Sequence, residues 1–171
     1  VVEVNSETDF VARNEQFQEL VSEIAKLGLV VDGDYSALLN ASYPGGSLTV
    51  EDQVKELVGS IGENMAVRRS SGISVEQGLV ASYVHNAIKP GLGKIGVIDG
   101  LESDGDRDKL LEFGRKLAMH IAATNPLAVT SDELGADVIE KERSLYTEQA
   151  RQSGKPDNIV EKMAEGRLRK E

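Results

Sequence analysis

The sequence predicts an α+β fold of two small subdomains, each with antiparallel strands packed against helices, followed by a projecting antiparallel helical hairpin. Short β-branched runs alternate with amphipathic helical stretches along the chain. The order strand, loop, helix occurs twice, and the final segment is highly charged with only a narrow apolar stripe. The predicted divisions are residues 1–73, 74–134 and 135–171.

The first subdomain is predicted to begin with the strand "VVEV" and to continue into a helix. From Phe10 to Leu27 the apolar residues recur at helical spacings, and Asn14 is a candidate break. The segment "GDYSALLNASYPGGS" is typical of a connection with one helical turn. Thr49 is expected to cap the next helix, and Gly62 is expected to end it.

Strand character returns in three stretches, "MAVRRSSGISV", "LVASYVHNAI" and "KIGVIDGL", and the last two are expected to pair antiparallel. The helical spacing from Leu110 to Ile121 then predicts a helix that ends before Asn125. In the final segment Gly154 can end one helix and Pro156 can begin the next. So short a turn between two narrow-striped helices predicts a coiled-coil hairpin.

Composition excludes several classes of function. The net charge of −10 repels a phosphate backbone, so no direct binding of nucleic acid is expected. The chain has no cysteine, which removes thiolate nucleophiles and thiolate metal sites and is typical of a reducing compartment such as the cytoplasm. No apolar run reaches the roughly 18 residues of a membrane helix, so no membrane partner is expected.

One motif matches a nucleotide-binding pattern. The stretch "GLGKIG" (residues 91–96) satisfies the dinucleotide pattern G-x-G-x-x-G, which would make the chain a nucleotide-using enzyme. That pattern needs a following helix, whereas a predicted strand follows here, so the glycines are expected to shape a hairpin loop. His85 and His120 lack metal-ligand spacing. These residues therefore predict no metal site and no cofactor, and they identify no catalytic group.

The sequence around Phe10 allows two interpretations of its role. It shares a helical stripe with Phe17 and Leu20, and this spacing favours packing in the core. It also stands in the first turn of its helix, where a side chain can reach a pocket on another protein.

The stretch that contains Phe10, "NSETDFVARNEQF", is similar to the signature of translation elongation factor Ts. Further segments agree in order: "IGENMAVRR", "SYVH", "KLAMHIAATNP" and "QSGKPDNIVEKMAEGRLRK". The sequence resembles the core region of that family. Because members usually carry a small helical domain before this core and further strands after the hairpin, the chain is expected to be part of a longer protein.

The resemblance implies a guanine-nucleotide exchange factor that promotes GDP release from elongation factor Tu during translation elongation. It implies that the protein is located in a bacterial cytoplasm. A mitochondrion or a plastid is the alternative location, because these organelles keep the same factor. The family's T-D-F-V turn presses on the GTPase domain of Tu, and here it corresponds to Thr8, Asp9, Phe10 and Val11. Phe10 is the implied wedge, which enters an apolar pocket and dislodges the Mg²⁺ and phosphate site.

Further contacts with Tu are implied for Ile61, Gly62 and His85. Ile61 and Gly62 contact the same GTPase domain, and His85 lies on the side that faces the third domain of Tu. The alternative hypothesis is a helical-hairpin interaction or scaffold protein without exchange activity. A homodimer formed through the hairpin is a further candidate interaction.

Overall fold

The computed structural model describes residues 1–168, and the chain divides into two compact units, Val1–Asn125 and a second that begins at Pro126. The first unit contains β1 (Val2–Ser6), α1 (Asp9–Ala12), α2 (Glu15–Val30), α3 (Tyr35–Asn40), α4 (Val50–Ile61), β2 (Met65–Ser70), β3 (Gly78–His85), β4 (Ile95–Glu102) and α5 (Arg107–Thr124). The second contains a 3-10 turn (Ser131–Glu133), α6 (Ala136–Arg151) and α7 (Asp157–Leu168). Helices combined with two small antiparallel sheets confirm the α+β class.

The first sheet organises the N-terminal part of the first unit. Strands β1 and β2 pair antiparallel, with Ser6 opposite Met65. Helices α2, α3 and α4 pack with them around one apolar core, whose buried members are Val11, Phe17, Leu20, Ile24, Leu38, Val50, Val54, Leu57, Met65 and Val67. Because β1 ends where β2 begins, the turn that follows Ser6 lies beside the turn that precedes Met65.

Capping residues set the helix boundaries much as the sequence predicts. The Asn14 side chain caps α2 by accepting from the amides of Gln16 and Phe17 at 2.8 and 3.2 Å. The expected break at Asn14 is therefore confirmed, and it separates α1 from α2. Thr49 caps α4, and Gly62 ends it in the left-handed conformation with φ of 82°.

The second sheet consists of β3 and β4, which pair antiparallel from Gly78 opposite Glu102 to His85 opposite Ile95, as predicted. Helix α5 packs against this pair. A Cβ added at Gly114 of α5 would lie 2.5 Å from the Cβ of Ala81, so the helix approaches the sheet too closely for a side chain at that position.

The glycines of "GLGKIG" belong to the connection between β3 and β4. Gly91 has a φ of 78°, and Lys89 forms an isolated bridge with Leu92 in the same loop. Strand β4 begins at Ile95, where a dinucleotide site would require the start of a helix. The predicted hairpin loop is confirmed.

The second unit contains a pair of helices in contact with each other. Tyr146, Ala150, Val160 and Ala164 are buried. Arg143 of α6 forms an ion pair with Glu165 of α7 at 3.3 Å. That the pair projects from the body as a coiled coil stays a prediction, as do the domain boundaries at residues 73/74 and 134/135; residues 169–171 of the predicted hairpin lie outside the described residues. Within residues 1–168, none of the helices combines the length and apolar character that a membrane crossing requires.

Asp99 is a buried carboxylate on β4. Its side chain is only 7% exposed, and neither oxygen has a hydrogen-bond partner among the described residues. Burial raises the pKa of Asp99 above its ordinary value, because the charged form loses its hydration. The folded chain therefore binds this proton more tightly than the unfolded chain does.

The buried carboxylate predicts a pH-dependent loss of stability. The contribution of Asp99 is most favourable below its unfolded pKa of about 3.9 and is lost as the pH rises through the folded value. Asp99→Asn should raise the free energy of unfolding at about pH 7 by about 1 kcal/mol, with a smaller gain at about pH 4. Urea unfolding of both proteins at the two pH values measures this difference. An equal gain at both pH values would show that the ionisation of Asp99 does not affect the free energy of unfolding.

Candidate protein-binding surface

The turn between β1 and α1 contains hydrogen bonds between residues close in the sequence. The Ser6 hydroxyl donates to the carbonyl oxygen of Thr8 at 3.3 Å. Thr8 is the N-cap of α1, and its hydroxyl oxygen accepts from the amide of Val11 at 3.5 Å. The sequence therefore changes from strand to helix within two residues, and the residue that follows the cap starts the helix.

Adjacent residues of α1 point to opposite environments. Val11 is 3% exposed and belongs to the N-terminal core, whereas Phe10 is 85% exposed. The helical spacing favours packing of Phe10 in the core, and this prediction is therefore wrong. The break at Asn14 resets the helical phase, so the buried stripe that contains Phe17 does not continue back to Phe10.

The end of α4 lies against this turn. The Thr8 hydroxyl donates to the two carboxylate oxygens of Glu63 at 2.8 and 3.0 Å. The Asn64 side chain donates to Glu7 at 2.7 Å. These contacts bring Ile61 and Gly62, which directly precede Glu63, next to the turn of Thr8. Gly62 is exposed, and a Cβ added there would have no neighbour within 4 Å.

The loop between β3 and β4 reaches the same turn from another side. The ammonium group of Lys94 lies 3.1 Å from a carboxylate oxygen of Asp9. The Lys94 amide donates to the carbonyl oxygen of His85 at 3.1 Å. The exposed His85 ring contacts the Tyr83 hydroxyl through Nδ1 at 3.0 Å. The main chain of His85 is thus linked to Asp9 through Lys94.

These contacts define one connected region, which we call the Phe10 surface. Its members are Thr8, Asp9, Phe10, Ile61, Gly62, Glu63, His85 and Lys94. It contains six of the seven residues predicted as partner contacts, while the seventh, Val11, lies beneath it in the core. Elsewhere, shallow depressions of about 150 and 260 Å³ lie beside Arg107 and beside Tyr43, and neither is lined by a residue of the Phe10 surface.

Two residues of this surface are not predicted from the sequence. Glu63 directly follows the Ile61–Gly62 pair, but its role depends on a contact with Thr8, which is 55 positions away. Lys94 attracts notice only as part of a glycine-rich motif, and its partner Asp9 is 85 positions away. Among residues 1–168, no three acidic, histidine or cysteine side chains are grouped closely enough to hold a metal ion.

Comparison with known proteins assigns the family. A family profile described as Elongation factor TS matches residues 7–171. The chain belongs to the elongation factor Ts family. It is 61% identical to Elongation factor Ts of Parvibaculum lavamentivorans, 54% to that of Bartonella bacilliformis and 55% to that of Sinorhizobium medicae, each over 170 residues. Each match covers 99% of this chain and 55% of the relative, so the chain spans about half the length of the relatives.

The elongation factor Ts match includes the whole Phe10 surface, because it begins just before Thr8 and extends past Lys94. The resemblance that the sequence motifs predict is therefore confirmed at the level of the family. Which residues of the surface touch a partner stays a prediction.

The left-handed conformation of Gly62 predicts that alanine substitutions at Gly62 and at Gly59 change the stability of the chain in opposite directions. Gly62→Ala should lower the free energy of unfolding by about 1–2 kcal/mol, since a residue with a Cβ is strained at positive φ. Gly59→Ala is the matched control, because Gly59 lies inside α4 and an added Cβ meets nothing within 4 Å. It should gain about 0.5–1 kcal/mol. Urea unfolding distinguishes the two, and equal changes would contradict a conformational role for Gly62.

Proposed function

We propose that the chain promotes GDP release from elongation factor Tu during translation elongation, with Phe10 inserted as a wedge into the GTPase domain of Tu. The observation that carries the proposal is the exposure of Phe10. A large aromatic side chain that is 85% exposed on a helix fixed at its cap is suited to enter a pocket on another protein. Membership of the elongation factor Ts family supplies the partner.

Exchange follows from differential binding. A factor that binds nucleotide-free Tu more tightly than nucleotide-bound Tu must weaken nucleotide binding by the same factor. No covalent bond is made or broken, so the chain acts as an exchange factor and not as an enzyme. The net charge of −10 is compatible with this role, because the partner is a protein and the nucleotide is expelled.

The energy available from Phe10 sets the scale of the mechanism. Burial of a Phe side chain contributes about 1.5–3 kcal/mol, which corresponds to about one to two decades in an equilibrium constant. A larger effect on nucleotide affinity needs a second source. We assign it to the loss of Mg²⁺ and phosphate contacts inside Tu when the wedge displaces the elements that support them.

The other residues of the Phe10 surface have supporting roles in this proposal. Asp9 is a polar contact beside the wedge, and Thr8 fixes the start of the helix. Ile61 and Gly62 contact the same GTPase domain, where the glycine allows close backbone approach. Val11 anchors the turn from below and makes no contact with Tu itself.

His85 extends the contact area towards the third domain of Tu. The exposed ring of His85 favours this role. The cytoplasmic location, the homodimer through the hairpin and the scaffold alternative stay predictions.

A GDP-release assay tests the proposal. Fluorescent GDP bound to purified Tu is mixed with excess unlabelled GDP, with and without the chain. The parent chain should accelerate release, and Phe10→Ala should reduce the acceleration at a fixed chain concentration by about 10- to 100-fold, as the lost burial implies. Urea unfolding should show Phe10→Ala within about 0.5 kcal/mol of the parent, because the ring is exposed.

Leu29→Ala is the matched control. Leu29 is 81% exposed but lies at the opposite end of α2, about 20 Å from its start at 1.5 Å per residue. This variant should retain full acceleration. No acceleration by the parent chain would contradict exchange activity and favour the scaffold alternative; full acceleration with Phe10→Ala would contradict the wedge.

A further inference from the structure

Helix α1 is too short to be stable by itself. It has four residues, whereas isolated helices below about 12–15 residues are marginal in water. Its backbone hydrogen bonds include those from the amides of Ala12, Arg13 and Asn14 to the carbonyl oxygens of Thr8, Phe10 and Val11, at 3.3, 3.2 and 2.9 Å respectively. Since the Phe10 ring packs against almost nothing, the orientation of the helix depends on contacts made by its other residues.

Four contacts hold this helix, and each engages a different residue of it or of its cap. The buried side chain of Gln18, on α2, donates to the carbonyl oxygen of Ala12 at 3.0 Å. Val11 is buried in the core beneath. Thr8 donates to Glu63 at the end of α4, and Asp9 pairs with Lys94 of the loop between β3 and β4. Only the burial of Val11 is apolar, and a single apolar contact does not prevent rotation of the turn about it. The three polar contacts restrain that rotation, and two of them, those of Glu63 and Lys94, come from segments distant in the sequence.

We propose that Glu63 and Lys94 are positioning residues that hold α1 in the orientation in which Phe10 projects. This inference rests on the proposed function for its effect on exchange, but its structural part concerns the free chain alone. Neither residue needs to touch Tu. Each acts through the turn, and loss of either leaves Phe10 present but less ordered before binding, so that more ordering is needed in the complex.

The expected size of each effect is modest. An exposed ion pair such as that of Asp9 and Lys94 changes an equilibrium constant by about 1.4- to 5-fold. Lys94→Met keeps most of the length of the side chain and removes the charge, whereas Lys94→Arg keeps both. Glu63→Ala removes the acceptor for Thr8, whereas Glu63→Gln keeps an oxygen that accepts.

The first measurement uses the free chain. Amide hydrogen exchange at Ala12 and Arg13, followed by NMR, should become about two- to fivefold faster in Lys94→Met and Glu63→Ala. It should stay at the parent rate in Lys94→Arg and Glu63→Gln. Amides of the buried part of α2 should be unchanged in all four variants, which separates local loosening from global destabilisation.

Lys89→Met is the matched control in the same loop. Lys89 is exposed and forms no ion pair among the described residues. Exchange at Ala12 and Arg13 should be unchanged in this variant. Unchanged rates in both Lys94→Met and Glu63→Ala would overturn the proposal, whatever the GDP-release assay shows.

The second measurement is a double-mutant cycle in the GDP-release assay. Lys94→Met should reduce the acceleration of GDP release about two- to fivefold in the parent chain and should have no effect in an Asp9→Ala background, where Lys94 has no acceptor at position 9. Equal reductions in both backgrounds would show that Lys94 contacts Tu directly, and would overturn its positioning role. If the parent chain does not accelerate release, the proposed function fails, and the amide exchange rates of the free chain still decide whether Lys94 and Glu63 hold α1.

Discussion

Burial of Val11 is the constraint on which the geometry of the Phe10 surface depends. Successive residues of a helix are about 100° apart around its axis. Once Val11 enters the core between β1 and α2, its neighbour Phe10 is directed away from that core. The four-residue length of α1 completes the effect, because no further turn exists to bring Phe10 back over an apolar face.

For the proposed wedge, this arrangement would provide preorganisation. A phenylalanine on a loose loop would lose conformational entropy when it binds, whereas a phenylalanine on a fixed turn has lost part of it during folding. Antiparallel pairing of β1 with β2 supplies the fixed turn, since it places the start of α1 beside the end of α4. The β-hairpin loop then adds the contact of Lys94 with Asp9. Three segments that are distant in sequence thus support one exposed ring.

Helix caps formed by residues close in the sequence could be predicted from it, whereas side-chain contacts between distant positions could not. Thr49, Gly62 and Asn14 act within a few residues of themselves, so their capping roles follow from residue type and spacing. The exposure of Phe10 could not be predicted from periodicity, because a two-residue break between helices resets the phase; only the family resemblance indicated it. Glu63 and Lys94 were missed because their partners lie 55 and 85 positions away.

The most direct test of the central claim is whether position 10 becomes buried when Tu binds. Because the chain has no cysteine, Phe10→Cys can be labelled specifically with a small aromatic, environment-sensitive dye, and Leu29→Cys provides the matched control. In the complex with nucleotide-free Tu, the dye at position 10 should shift to shorter emission wavelengths and lose access to a soluble quencher, while the dye at position 29 stays exposed. A complex that forms while both dyes remain equally accessible would contradict the account.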